Sequence, residues 1–323
     1  MIARRITITL CLLLWAVTSF ATAWDEPWRK EIIKKSEYFV HGRVVHASDS
    51  VVTIHVLKSF GEALTDTITL DGFFLLDLCS VSGHGPHFSF KIDQEGYLFL
   101  KKGSNGNFKI PTPSSGFDRI VEDKVHATYR HSYHQAAIPK DIYELTYTAI
   151  WNKLHNGEVE EEAVRSFIQE NLSKPPAGFD EVEIDLFYAQ HAALETAYLL
   201  DISLDFDILK GFAESTNFHA RVSAVRAMVN DKSDQGKAYL LEILAAKDSN
   251  NFLSVIAIWT LWKMNDKKIT KKLWKMKNQL SHEKEGFGGN IMDNRICTHF
   301  PSPQNAVIEL KENKAMGVKL SNL

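Results

Sequence analysis

The chain of 323 residues contains few of the features that name a function directly. It has only three cysteines, and it lacks the Gly-x-Ser-x-Gly pattern of an activated serine nucleophile. Its formal net charge of −3 gives no general case for nucleic-acid binding. The glycine-rich run 286–290 neither follows a predicted strand nor matches a phosphate-binding loop, so it indicates a hinge. No motif is therefore specific enough to name a reaction.

The longest apolar run lies at the N-terminus, and no later stretch is long enough to span a membrane. Arg4-Arg5 precedes the apolar run 6–20, and positions 21–23 have the small-x-small form that a signal peptidase cleaves. A bilayer span needs roughly 20 residues, and an uncleaved membrane anchor is the alternative interpretation. We expect the first 23 residues to be an export signal, with a mature periplasmic or secreted chain that begins at Trp24.

Cleavage of that signal leaves two cysteines, Cys79 and Cys297. In an oxidising compartment these two thiols are candidates for a single disulfide. Such a bond would hold the C-terminal region against the segment that contains Cys79. The alternative is that both cysteines are buried and reduced.

Apolar residues alternate with a period of two over much of residues 38–110, which is typical of half-buried strands. Strands are predicted at 38–45, 51–60, 66–70, 87–92, 97–100 and 108–110. Short strands separated by turn residues predict a small barrel or sandwich. The runs Phe-Val-His-Gly-Arg-Val-Val at 39–45 and Val-Thr-Ile-His-Val-Leu-Lys-Ser-Phe-Gly at 52–61 resemble the opening of a netrin/TIMP-like, OB-type barrel.

That resemblance covers residues 36–112 and implies a closed β-barrel. Metalloprotease inhibitors of the family grip the metal through a mature N-terminal cysteine. This chain is predicted to begin at Trp24 instead. The inhibitory mechanism therefore does not carry over.

After residue 139 the hydrophobic period becomes helical. Helices are predicted at 141–155, 158–172, 182–200, 206–214, 218–229, 235–246, 252–264 and 269–280. A shift of 34 residues aligns Asn217-Phe218 with Asn251-Phe252, as in an internal repeat. The stretch 220–228 resembles the first helix of a HEAT-type repeat, a resemblance that covers about residues 180–280. It implies stacked helix pairs, with an irregular helical bundle as the alternative.

The predicted fold class is α+β with two domains. A small antiparallel OB-like β-barrel at 24–112 is followed by an α-helical HEAT-like solenoid or bundle at 140–285. A histidine-rich connector without regular structure is expected at 113–139, because prolines, serines and a glycine are concentrated near its start. Residues 286–323 are expected to be a C-terminal tail, in which 306–311 form a strand or a loose segment.

Histidine is the enriched functional residue, since eight of the thirteen lie between positions 41 and 134. His84 and His87 form one His-x-x-His pair, and His131 and His134 form another. Because imidazole is a common zinc ligand, the two pairs are a candidate zinc site, and a metal-dependent hydrolase is an alternative function. The other interpretation is that no cofactor binds and these histidines are hydrogen-bonded to the backbone of loops.

Charge is distributed unevenly along the helical region. Nine acidic residues and two basic ones lie between 158 and 185, whereas eight lysines and two acids lie between 263 and 284. The apolar stripe of the basic helix is expected to leave these lysines in solvent: Lys267, Lys268, Lys271, Lys272 and Lys275. This pattern predicts a surface for an anionic partner or for membrane headgroups. The alternative is the solvated face of a terminal capping helix.

Stacked helices and small barrels both suit recognition. We therefore expect an exported, non-enzymatic binding or scaffolding protein that has a protein partner and does not bind nucleic acid. An inhibitor or immunity protein of a secreted enzyme is a further alternative.

Overall fold

The structure is a computed structural model of the chain. It describes residues 24–25, 27–48, 51–71, 90–112, 115–131, 134–246, 250–284, 296–297 and 300–315. The region that contains Cys79, His84 and His87 lies outside the described residues, so the predicted disulfide and half of the predicted zinc site stay predictions.

The short strand β1 (Trp24–Asp25) pairs in parallel with Ile296–Cys297. The next five strands close into a β-barrel. They are β2 (Tyr38–Ala47), β3 (Val51–Ser59), β4 (Thr67–Asp71), β5 (Glu95–Lys102) and β6 (Phe108–Lys109). Their order is β2-β3-β4-β6-β5, and β5 pairs back onto β2 to close the barrel. The pairings are antiparallel except for β4 with β6, which are parallel at Leu70 and Phe108. A closed barrel of this size is filled by side chains, here by the inward residues of the alternating pattern, which include Val40, Val52 and Ile54.

Gly42 lies in the part of β2 that pairs with β3 on one side and with β5 on the other. The register of β2 against β3 shifts between His41 and Gly42, as in a β-bulge. A Cβ atom at Gly42 would lie 2.4 Å from Cγ2 of Ile54. Only glycine allows the barrel to close here without moving Ile54.

The stretch 113–139 is regular where described, so its expected lack of regular structure is wrong. It contains β7 (Phe117–Val121), β8 (Lys124–Ala127) and β9 (Ala136–Pro139). Strand β7 pairs with the barrel strand β5, and β8 and β9 extend the sheet in antiparallel order. Each of these strands is only four or five residues long, so its sequence carries little periodic signal of its own.

Ten helices lie in the described part of the chain. They are α1 (Arg29–Lys35), α2 (Lys140–Leu154), α3 (Glu161–Leu172), α4 (Ile184–Leu199), α5 (Phe206–Ala213), α6 (Phe218–Ala227), α7 (Asp234–Ala245), α8 (Asn251–Lys263), α9 (Lys267–Met276) and α10 (Pro303–Ala315). Capping side chains begin several of them, such as Asn217 before α6 and Asn250 before α8. In this part of the chain no helix is both long enough and apolar enough to cross a bilayer.

Helix α10 corrects the expectation of a strand or loose segment at 306–311. Ala306, Val307 and Leu310 are buried in the helical core, and α10 packs against α8. Phe300, just before the helix, stacks on Phe252 with ring centroids 4.1 Å apart. Three apolar positions in a short segment are compatible with a helix and with a strand, so the sequence did not decide between them. Packing against α8 selects the helix.

A buried ion pair connects α1 to the extended sheet. The guanidinium of Arg29 donates to the carboxylate of Asp118 on β7, and both side chains are almost fully buried. Tyr143 donates a hydrogen bond of 2.6 Å to the same carboxylate, and Nε of Arg29 donates to the hydroxyl of Tyr147 at 3.0 Å. One hydrophobic core continues from this junction, through Phe39 and the other aromatic residues outside the barrel, into the helices.

Candidate functional site

Helix α9 presents the predicted lysines to solvent. Asp266 caps its start and accepts hydrogen bonds from the backbone N–H groups of Lys268 and Ile269. Leu273 is buried against the other helices. Five lysines are exposed and are called the lysine face below: Lys267, Lys268, Lys271, Lys272 and Lys275.

An apolar groove of about 320 Å³ lies beside the lysine face. Helices α8, α9 and α10 form it, and its apolar lining is Trp262, Leu273, Trp274, Val307 and Leu310. Lys271, Lys275 and Lys311 are also among the lining residues, and none of the described lining residues is acidic. The groove therefore combines an apolar floor with a cationic rim, and sequence reasoning missed it because α10 was not predicted.

Trp274 lies between two lysines at this groove. The Nζ of Lys311 lies 3.6 Å from the centroid of its ring, and the Nζ of Lys277 lies 5.0 Å away. Both distances are within the range of cation–π attraction. The contacts hold two ammonium groups close to the apolar floor.

A second polar feature is buried in the helical core and is called the histidine–arginine cluster. The backbone N–H of His134 donates to the carbonyl of His131 at 2.9 Å. His131 is buried and lies edge-on against Trp28. The imidazole of His134 is joined by His191 and His219, at centroid distances of 4.2 and 3.9 Å. The remaining members of the cluster are Arg130, Glu195, Ser223 and Arg226.

Glu195 is the carboxylate of this cluster and is fully buried. It accepts hydrogen bonds from Ser223 at 2.7 Å and from Arg226 at 2.9 Å. Arg130 lies 3.8 Å from the same carboxylate. The single buried carboxylate of Glu195 therefore lies close to two buried guanidinium groups, those of Arg226 and Arg130.

The hydrogen bonds assign the tautomers of two histidines. Arg130 donates to Nδ1 of His219 at 3.0 Å, so that nitrogen carries no proton. Ser223 gives its single proton to Glu195, so its oxygen accepts from Nδ1 of His191 at 3.2 Å. In neutral His191 the proton is therefore on Nδ1.

Burial keeps these imidazoles neutral. It is the largest cause that lowers the pKa of His134 and His191 well below the usual histidine value, and the nearby Arg130 lowers it further. The same two causes lower the pKa of His219 to about 4. The cluster is therefore a buried site in which further positive charge is strongly disfavoured.

The cluster does not have the geometry of a nucleophilic triad. Ser223, His191 and Glu195 are in contact, but Ser223 donates its proton to Glu195 and not to the imidazole. All three side chains are at most 1% exposed. Ser223 and Glu195 satisfy each other, whereas Nε of Arg130 and Nε2 of His134 and of His191 are buried without a hydrogen-bond partner among the described residues.

Sequence analysis missed most of this cluster, although helical spacing carries a signal. His191 and Glu195 are four residues apart on α4, within a helix that is buried on almost all sides. His219, Ser223 and Arg226 share one face of α6 in the same way. Polar side chains on the buried faces of two helices in contact indicate a polar cluster.

We expect the purified mature protein to contain no stoichiometric zinc. Among the residues that the structure describes, no group of three or more potential ligands is placed to hold a metal ion. The rings of His134 and His219 are parallel within 6° and stacked, whereas a metal lies close to the plane of each ring that binds it. Inductively coupled plasma mass spectrometry measures the content. About one zinc per chain, lost in both His84→Ala and His131→Ala, would contradict this expectation.

Comparison with protein-family models, with curated proteins and with solved structures finds no match to this chain.

Proposed function

We propose that this chain is an exported, non-enzymatic binding protein that receives an anionic protein partner on the lysine face of α9. The observation that carries the proposal is the exposure of five lysines on one helix whose other face is buried at Leu273. A concentrated cationic surface steers an anionic partner and fixes its orientation. The export signal at residues 1–23 would place this surface in the periplasm or outside the cell.

The barrel is proposed to be of the OB type. Its strand order, its closure through β2 and β5 and the parallel pairing of β4 with β6 support this assignment. OB barrels commonly serve recognition through their loops and one face.

The helical region is proposed to stack as HEAT-like pairs. Helices α4, α6, α8 and α10 contact one another in succession, while α5, α7 and α9 pack against this row from outside. Such a row of helix pairs is the arrangement of a solenoid, which presents an extended binding surface.

Charge reversal of the lysine face tests the proposed function. In the variant Lys267→Glu, Lys268→Glu, Lys272→Glu, we expect the affinity for fluorescent poly-glutamate to fall by at least about tenfold at low salt, because attraction becomes repulsion. Fluorescence anisotropy measures the dissociation constant. The probe represents an acidic polypeptide surface.

The matched control reverses three exposed lysines of the barrel region, Lys91, Lys102 and Lys109. This control variant changes the net charge by the same amount as the lysine-face variant. It should retain most of the affinity for poly-glutamate. Equal losses in the two variants would show that net charge alone governs binding, and the proposal would then be wrong.

A further inference from the structure

The groove beside the lysine face has the dimensions of a small ligand site. Its volume of about 320 Å³ lies at the lower end of the range for small-molecule pockets, roughly 300–1,000 Å³. An α-helix of a partner is about 10 Å across with its side chains. The groove therefore suits a single extended chain better than a docked helix.

The residues that line the groove are of two kinds, apolar side chains and lysines. The aromatic ring of Trp274 and the side chains of Leu273 and Leu310 offer apolar contact. Lys271, Lys275 and Lys311 line the same cavity mainly with their aliphatic stems, and all three are exposed, so their ammonium groups lie towards its solvent-facing edge. No acidic side chain is among the lining residues that the structure describes. The complement of this surface is an amphiphile with one apolar chain and one anionic group.

We propose that the groove binds a free long-chain carboxylate. Its hydrocarbon chain would lie along Trp274 and Leu310, and its carboxylate would accept hydrogen bonds from Lys271 and Lys275. The proposal rests on the proposed function, since Lys271 and Lys275 belong to the lysine face, and it adds a small ligand beside that surface. We favour a free carboxylate over a membrane as the occupant. A groove between helices can enclose a single hydrocarbon chain, whereas binding to a bilayer requires an apolar face that points outward.

A chain-length series tests the apolar part of the proposal with the mature full-length protein. A fluorescent hexadecanoate analogue is displaced by unlabelled carboxylates of eight to sixteen carbons and by hexadecanol. We expect the affinity to rise about fourfold per methylene until the groove is filled, and hexadecanol to bind at least about tenfold more weakly than hexadecanoate. Equal affinities along the series would overturn the groove proposal and leave the lysine face untouched.

Two double variants of the same helix test the charged part. Lys271→Glu with Lys275→Glu changes the rim, and Lys267→Glu with Lys272→Glu changes two exposed lysines that do not line the groove. The first pair should reduce the affinity for hexadecanoate at least about tenfold, and the second should change it less than threefold. Equal losses would mean that the carboxylate is not held at the rim.

Other occupants of the groove would give different results in the displacement assay. Binding to anionic phospholipid vesicles, without displacement of the probe by free hexadecanoate, would show a membrane surface and reject the proposal. Displacement of the probe by a synthetic peptide of residues 316–323, as effective as by hexadecanoate, would assign the groove to a segment of this chain. If poly-glutamate binding is lost in the lysine-face variant while hexadecanoate does not bind at all, the proposed function stands and this inference fails.

Discussion

Replacing Glu195 with glutamine will lower the free energy of unfolding by about 3–5 kcal/mol, the range for removing one partner of a buried ion pair. The glutamine keeps the shape of the side chain but leaves Arg226 and Arg130 buried without their carboxylate. The buried guanidinium groups then lose the attraction that offsets their desolvation. Equilibrium unfolding in guanidinium chloride measures the change from the transition midpoint and slope.

Two further variants test whether the loss comes from the buried charges. Glu161→Gln removes a carboxylate paired with Arg165 on the exposed surface of α3, and such pairs contribute about 0–1 kcal/mol. The double variant Glu195→Gln, Arg226→Met removes a positive charge as well, and it should be more stable than Glu195→Gln alone. A loss below about 1 kcal/mol in Glu195→Gln would show that the charges in the cluster are not coupled to folding.

Stability will also fall steeply when the protein is acidified below about pH 6.5. In the folded chain, burial lowers the pKa of His134 and His191 well below its usual value and that of His219 to about 4. In the unfolded chain the pKa of each histidine returns to about 6.5. Above that pH both states are neutral and these groups have no effect.

As the pH falls from about 6.5 towards the folded-state pKa, the unfolded state binds more protons than the folded state. The free energy of unfolding then falls by up to about 1.4 kcal/mol per pH unit for each histidine, or about 4 kcal/mol per unit for all three. The nearest charged groups, Arg130 and Arg226, oppose protonation, and Glu195 already accepts from Ser223 and Arg226. Acid therefore favours the unfolded chain.

The measurement is the guanidinium chloride midpoint at several pH values between 7 and 5, a window above the titration of ordinary carboxylates near pH 4. His219→Gln should reduce the pH dependence by at most about a third, because burial also lowers the pKa of His41 and of His126. His55, exposed on β3, provides the matched control as His55→Gln. A midpoint that stays constant between pH 7 and 5 would contradict the conclusion that these imidazoles are buried and neutral in the folded chain.

The positions of the secondary structure elements were largely accessible from the sequence. Alternation at Val52 and Ile54 predicted β3, and the apolar stripes after residue 139 predicted helices α2 to α9 close to their observed bounds. Both patterns are local, because a strand and a helix expose and bury side chains at fixed periods. The prediction failed at β7 to β9, which are too short to show a period and of which β7 pairs with β5. It also failed at α10, which packs against α8.

The candidate sites divide in the same way. The sequence by itself determined the lysine face, since five lysines and one buried stripe lie within a single helix. It did not determine the histidine–arginine cluster, whose members His134, His191 and His219 lie on separate elements far apart in the chain. Only the tertiary structure decided which histidines meet and where the groove opens, because contacts between helices depend on packing that no local period records.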